Sequence, residues 1–197
     1  MHGERTSLKE RDGWPGSVIE MLGVIGPLTD PVADGGAAGD AFDLVVPSLP
    51  GYGFSAEPTE PGWNVGRIAA AWAELISRLG YDRYVAQGGD VGASVTDAMG
   101  RQAPEGLVGI HMNLLVTMLG GDMPPVETEQ ERAAADAIST FRTSGFGYFL
   151  EQATRPQTIG YALLDSPVAL AAWMLDHDTD AYYKISRAFV DGQPSGA

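Results

Sequence analysis

The stretch that decides the fold is the pentapeptide Gly88-Gly89-Asp90-Val91-Gly92. It directly follows the mainly apolar residues 84–87, which are predicted to form a short buried strand. Small residues on both sides of a central acid predict a tight turn from a strand into a helix, because nearly side-chain-free flanks let the two elements pack closely. The central side chain then projects beyond the sheet, at a helix N-terminus that favours negative charge.

Asp90, at the centre of this turn, has two interpretations. An aspartate carboxylate is charged at neutral pH, so it can attack an electrophilic carbon without a base and form an alkyl–enzyme ester. The backbone N–H of Val91 would then donate to an oxyanion. Alternatively, Asp90 only caps the following helix. The pentapeptide alone leaves both interpretations open.

The elements around this turn alternate between strand and helix. Residues 42–47 form an apolar run that predicts a strand, and residues 65–79 repeat apolar side chains at helical spacing up to Gly80, which ends the helix. Residues 93–101 continue as a helix after the turn, and residues 107–116 predict a third strand. This order predicts a parallel sheet with right-handed crossovers.

The character of the chain changes near residue 120. Beyond a break at two prolines, four helices are predicted, over residues 127–144, 146–153, 167–176 and 180–190. We therefore predict two domains, a partial α/β core over residues 1–119 and a partial helical domain over residues 120–197. Residues 191–197 predict a turn with no returning strand, and a three-stranded parallel sheet would have two unpaired edges, so strands are expected to be missing on both sides.

Composition narrows the possible partners. The chain has 12 basic and 26 acidic residues, a net charge of −14, so neither nucleic acid nor an anionic membrane is expected to bind it. Cysteine is absent, which excludes disulfides and thiolate chemistry. Residues 1–11 do not resemble a signal peptide, and no apolar run reaches membrane-spanning length. These features predict a soluble cytoplasmic protein and leave its oligomeric state open.

Several further motifs carry a family resemblance when they are taken together with the Asp90 turn. They are, in order, Asp12-Gly13-Trp14-Pro15-Gly16-Ser17, Leu49-Pro50-Gly51-Tyr52-Gly53-Phe54-Ser55, Gly147-Tyr148, Thr154-Arg155-Pro156-Gln157-Thr158 and Asp165-Ser166-Pro167. With this set the chain resembles the epoxide hydrolases of the α/β-hydrolase superfamily, especially the branch related to the microsomal enzyme. The resemblance spans roughly residues 12–195.

The resemblance implies an incomplete α/β-hydrolase sheet with a partial helical cap domain, and a two-step reaction that gives a vicinal diol. Asp90 would open the epoxide ring while Tyr148 acts as the acid, and a water activated by histidine would hydrolyse the ester. Trp14 in the oxyanion loop and the Val91 N–H would form the oxyanion hole. No metal or cofactor is implied. A small apolar epoxide would occupy a pocket walled by Phe146, Phe149 and Trp173.

The chain departs from the family pattern in four ways. Asp12 and Val91 stand where the family has histidine and tryptophan. The strands and the segment that precede the oxyanion loop in this branch are expected to be absent before Met1. The family's catalytic histidine lies beyond the cap, and its position is matched by none of His2, His111 and His177. We therefore expect that the chain can still form the ester but that it hydrolyses the ester poorly.

Other interpretations stay open beside this one. Tyr148 could be a packed helix aromatic, because Tyr161, Tyr182 and Tyr183 compete for the acid role. A haloalkane dehalogenase also uses an aspartate in this turn. Its halide site normally requires an indole N–H directly after the nucleophile, and Val91 cannot provide one. A serine esterase is disfavoured because no G-x-S-x-G occurs. The alternative that is not an enzyme is a truncated remnant without catalytic activity.

Overall fold

The structure is a computed structural model that describes residues 6–9, 16, 18–113, 125–176, 189–190 and 193–194. Two compact units divide the chain, Met1–Gly120 (unit 1) and Gly121–Ala197 (unit 2). Trp14, His2 and His177 lie outside the described residues, as do residues 114–116 of the predicted third strand.

Unit 1 is built on a four-stranded parallel sheet. Its strands are β1 (Thr6–Lys9), β2 (Asp43–Val45), β3 (Tyr84–Gly88) and β4 (Leu107–Met112), in the order β2-β1-β3-β4. The parallel arrangement confirms the prediction, but the count of three strands was wrong. Strand β1 precedes residues 12–17 and pairs on both sides, with Ser7 opposite Leu44 and Val85.

Three α-helices join these strands: α1 (Leu22–Thr29), α2 (Val65–Arg78) and α3 (Asp90–Gln102). Helix α2 forms where the apolar spacing predicts it and buries Ile68, Ala69, Trp72 and Ile76. Its end is closed by Gly80, which has a φ of 85°, while the Tyr81 N–H donates to the Ile76 carbonyl at 3.2 Å. This Schellman-type arrangement is the reason that the helix stops at the glycine.

The core of unit 1 lies between the sheet and helices α2 and α3. Tyr84, Ala86 and Gly88 of β3 are buried, whereas the alternate residues are only partly buried. Val95, Thr96 and Met99 of α3 are fully buried beside them. Burial raises the pKa of the Tyr84 phenol, which therefore stays neutral in the core.

The described residues of unit 2 form four α-helices and, near the end of the unit, a two-stranded pairing. The helices are α4 (Glu129–Thr140), which continues into a π-helical turn over Phe141–Gly145, then α5 (Gly147–Thr154), α6 (Pro156–Asp165) and α7 (Pro167–Asp176). Strands β5 (Phe189–Val190) and β6 (Gln193–Pro194) pair antiparallel. Residues 180–188 of the helix predicted over residues 180–190 lie outside the described residues. The prediction is wrong at the last two residues, which form β5, and β6 lies within the segment 191–197 that was predicted as a turn.

No helix in the described parts of either unit is both long and apolar enough to cross a membrane.

Helix α4 begins with a reciprocal capping box. The Thr128 hydroxyl accepts from the Glu131 N–H at 3.2 Å, and the Glu131 carboxylate accepts from the N–H groups of Thr128 at 2.8 Å and Glu127 at 3.0 Å. The backbone donors of Glu127 and Thr128 lower the pKa of the Glu131 carboxyl. The carboxylate thus satisfies donors at a helix N-terminus that would otherwise be unpaired within the helix.

This cap predicts a definite pH dependence. Because the folded pKa of Glu131 is lowered, its stabilisation is fully present above the ordinary glutamate value of about 4.3 and is lost as the pH falls through the lowered value. We expect the amide proton shifts of Glu127 and Thr128, followed by NMR, to titrate below about pH 4.3. The titration should vanish in Glu131→Gln and persist in the control Glu129→Gln; its persistence in Glu131→Gln would refute the cap.

Candidate active site

The turn between β3 and α3 holds Asp90 in an unusual backbone conformation. Gly89 is extended, with a φ of −124°, and Asp90 follows at a φ of 48°, in the left-handed region. This conformation costs most L-residues about 1–2 kcal/mol, and aspartate and asparagine are among the few that visit it routinely. Asp90 is exposed at the start of α3. The predicted strand-to-helix turn is therefore present.

Gly88 is required by a close approach of strand and helix. A Cβ at Gly88 would overlap the carbonyl carbon and oxygen of Gly92 and would lie 2.6 Å from the Thr96 hydroxyl. Gly88, Gly89 and Gly92 are all buried, and Ala93 is fully buried after them. Strand and helix are so close that only glycine fits at position 88.

Two backbone features lie next to Asp90 in the sequence. The Val91 N–H belongs to the first turn of α3, where backbone N–H groups have no acceptor within the helix and the helix dipole favours an anion. At the end of β3, the Gly88 carbonyl accepts from the Asn113 N–H at 3.4 Å. The Val91 side chain is 36% exposed. An anion near Asp90 could accept a hydrogen bond from this N–H.

The motif Leu49 to Ser55, which follows β2, forms a sharp turn in which both glycines have positive φ. Gly51 and Gly53 have φ values of 82° and 53°. The Tyr52 N–H donates to the Leu49 carbonyl at 2.9 Å, and the Ser55 hydroxyl donates to the Ser48 carbonyl at 2.6 Å. The glycines and Ser55 of this motif therefore have structural roles.

His111 lies on β4, directly opposite Gln87 in the register of the sheet. Its side chain is exposed and lines a cleft of about 470 Å³ together with Gln87 and Asn113. This position agrees with the interpretation of His111 as a strand histidine.

Unit 2 contains a separate cleft that brings together two of the predicted site residues. It has a volume of about 540 Å³, and helices α5, α6 and α7 supply its walls. The residues that line it are Gly147, Tyr148, Glu151, Ile159, Ala169, Ala172 and Trp173. Tyr148 and Trp173 thus share one cavity although 24 residues separate them in the sequence.

The two other aromatic residues predicted for a pocket wall contact each other. The rings of Phe146 and Phe149 are stacked with centroids 4.6 Å apart, and Phe149 is 45% exposed. Neither ring is among the described residues that line the unit 2 cleft. Glu151, which the sequence reasoning missed, does line it; its spacing of three residues from Tyr148 on α5 was the available signal.

Within the described ranges of the two units, no group of three or more histidine, aspartate or glutamate side chains is arranged to hold a metal ion.

Comparison with known proteins identifies the family. The chain is 57% identical over 165 residues to a protein of Stigmatella aurantiaca described as a putative epoxide hydrolase, in a match that covers 83% of this chain and 37% of that protein. The chain belongs to the epoxide hydrolase family. It is also 35% identical over 181 residues to epoxide hydrolase 1 of Oryctolagus cuniculus, with 83% of this chain and 39% of that protein covered.

A solved structure agrees with this assignment. The epoxide hydrolase of Aspergillus niger superposes with a TM-score of 0.71 at 31% identity, over 89% of this chain and 45% of that one. No protein-family model matches the chain. The predicted α/β-hydrolase fold is confirmed. The chain spans about two fifths of the length of the curated epoxide hydrolases that it matches.

Proposed function

We propose that the chain carries the ester-forming half of an epoxide hydrolase reaction, with Asp90 as the nucleophile. The observation that carries this proposal is the left-handed backbone of Asp90, at a φ of 48° between two buried glycines and an α-helix. Strained backbone of this kind persists where the surrounding structure enforces it, and it occurs often at catalytic positions. A helix cap alone needs no such conformation, since N-cap residues are ordinarily extended.

The proposed first step forms one C–O bond and breaks another. A carboxylate oxygen of Asp90 attacks one ring carbon, the bond from that carbon to the epoxide oxygen breaks, and the electron pair stays on that oxygen. Tyr148 donates its phenolic proton to the resulting alkoxide. The products are a hydroxyalkyl ester of Asp90 and a tyrosinate, which solvent reprotonates.

The second step requires an activated water at the ester carbonyl. Trp14 and the Val91 N–H are proposed to stabilise the oxyanion that forms there. We propose that none of the three histidines of the chain, His2, His111 and His177, holds the position that would activate this water. We therefore propose that ester hydrolysis is slow in this chain and that the ester accumulates.

An intact-mass time course with an aryl epoxide such as phenyl glycidyl ether tests both steps. We expect one added epoxide mass per chain, which persists after excess epoxide is removed. Absence of any adduct would contradict the proposed nucleophile. Diol formation over many turnovers would contradict the proposed defect in hydrolysis.

The acid role of Tyr148 gives a second test. Tyr148→Phe removes the proton donor to the alkoxide and keeps the ring that lines the cleft, so ester formation should slow by about 100-fold. Tyr161→Phe is the matched control, because Tyr161 lies on α6 and is 71% exposed. Rapid-quench mass spectrometry measures both rates. Equal rates for the two variants would assign the acid role elsewhere.

Two other functions give different results in the same experiments. Val91 offers an aliphatic side chain where a dehalogenase halide site would use an indole N–H, so halide release from a haloalkane is not expected. A non-catalytic remnant would form no ester and would melt without a cooperative transition. We propose a small apolar epoxide as the substrate. A cytoplasmic location stays a prediction of the sequence.

A further inference from the structure

The unit 2 cleft is apolar on most of its surface and polar at a few positions. Ile159, Ala169 and Ala172 supply aliphatic walls, whereas Tyr148 and Glu151 are polar lining residues. A pocket of this type uses its apolar walls for affinity and its few polar groups for orientation and specificity. Tyr148 already has the acid role under the proposed function, which leaves Glu151 to be explained.

Glu151 brings to the cleft a carboxylate that forms no ion pair within the described residues. The ion pairs between described residues join Arg67 to Glu60, Arg78 to Glu74 and Arg101 to Asp97, and none of them includes Glu151. The residue is partly buried, on the helix that carries Tyr148 and three positions after it. An uncompensated carboxylate in a mostly apolar cleft repels anions and attracts cations and hydrogen-bond donors.

Trp173 lines the same cleft, but its polar atom does not reach the cleft surface. Its indole Nε1 is inaccessible to solvent and has no hydrogen-bond acceptor among the described residues. A substrate in the open cleft therefore cannot accept from this N–H. The Glu151 carboxylate can accept a hydrogen bond from a substrate hydroxyl and can attract a cation.

We propose that Glu151 determines which epoxides the cleft admits, an inference that rests on the proposed function. The favoured substrates carry a hydroxyl or a cationic group on the substituent away from the ring that opens. Epoxides that carry a carboxylate there are rejected. Glu151 supplies the charge discrimination and accepts the hydrogen bond from a substrate hydroxyl.

Three phenyl glycidyl ethers with matched shape test this proposal, with a hydroxymethyl, a trimethylammonium or a carboxylate group in the para position. Their diols serve as unreactive ligands whose Kd is measured by calorimetry. For the unsubstituted chain we expect the first two diols to bind about tenfold more tightly than the carboxylate diol. Rates of ester formation should follow the same order.

Variants separate the local charge from the net charge of −14. Glu151→Gln should bring the three Kd values to within about threefold of each other. Glu129→Gln makes the same charge change on an exposed residue outside the cleft and should leave the order unchanged.

The outcomes distinguish this inference from the proposed function. The diols could bind in the expected order of charge, with an order that depends on Glu151, while no ester forms. That result would support the specificity of the cleft and would contradict the proposed reaction. Ester formation without any charge order, or an equal loss of order in Glu129→Gln, would overturn the role of Glu151. Failure of all three diols to bind would overturn the proposal as a whole.

Discussion

Replacement of Asp90 by asparagine is expected to abolish covalent labelling by an aryl epoxide, with a rate of ester formation at least about 1,000-fold lower. The substitution removes the anionic oxygen that attacks the ring and keeps a side chain of nearly the same size. Asparagine also tolerates the left-handed backbone that Asp90 adopts, so the turn should stay intact. Rates would be read by intact mass at fixed times with phenyl glycidyl ether.

Asp82→Asn is the matched control for this substitution. Asp82 is an exposed residue of the same unit, shortly before β3, and the change removes the same charge. Labelling of this variant should proceed at the unsubstituted rate. An Asp90→Asn variant that still forms the adduct at a comparable rate would show that another group attacks the epoxide.

The second large effect is expected on stability, from Gly88→Ala. The added methyl group would occupy space filled by the Gly92 carbonyl and would lie 2.6 Å from the Thr96 hydroxyl, and backbone at these positions cannot move aside without separating β3 from α3. Overpacking against backbone in a buried contact should lower the free energy of unfolding of unit 1 by about 3 kcal/mol or more.

Gly109→Ala is the control for the stability prediction. Gly109 lies on β4, and a Cβ there would meet only the Val85 side chain, at an ordinary distance of 3.9 Å. Its free energy of unfolding should change by less than about 1 kcal/mol. Thermal melts followed by circular dichroism, with hydrogen exchange of the peptides from β3 and α3, measure both variants. Equal stability of Gly88→Ala and Gly109→Ala would contradict the close approach of strand and helix.

The strand-to-helix turn at Asp90 could be predicted from five residues because its cause is local. Glycine stands at positions 88 and 92 because the strand and the helix approach each other closely there, so the sequence itself indicates the close approach. The boundaries of α2 could be predicted for the same reason. The apolar spacing lies within the helix, and Gly80, which ends it, follows shortly after its last residue.

Strand β1 could not be predicted in this way, because its strand character depends on partners that are remote in the sequence. The segment Thr6–Lys9 contains a single apolar residue and shows no strong strand pattern, yet it pairs with β2 on one side and β3 on the other. The backbone hydrogen bonds of both neighbours, supplied by residues more than thirty positions away, stabilise it there.

Helix α6 was missed because Pro156 was interpreted only as part of a motif. The proline occupies the first helical turn, where its missing N–H costs nothing and its fixed φ suits the helix. The lining of the unit 2 cleft could not be predicted either, because it depends on how the helices pack against each other. Aromatic content predicted a pocket with Phe146 and Phe149 in its wall, but periodicity does not reveal that these two rings stack while Glu151 lines the cavity.

The most direct test of the central claim is to locate the covalent adduct on the chain. After reaction with phenyl glycidyl ether, trypsin should release residues 84–101, which contain two aspartates, as a single peptide bounded by Arg83 and Arg101. We predict that this peptide carries the added epoxide mass and that its fragment ions place the mass on Asp90. An adduct on Asp97, or on any other peptide, would contradict the assignment of Asp90 as the nucleophile.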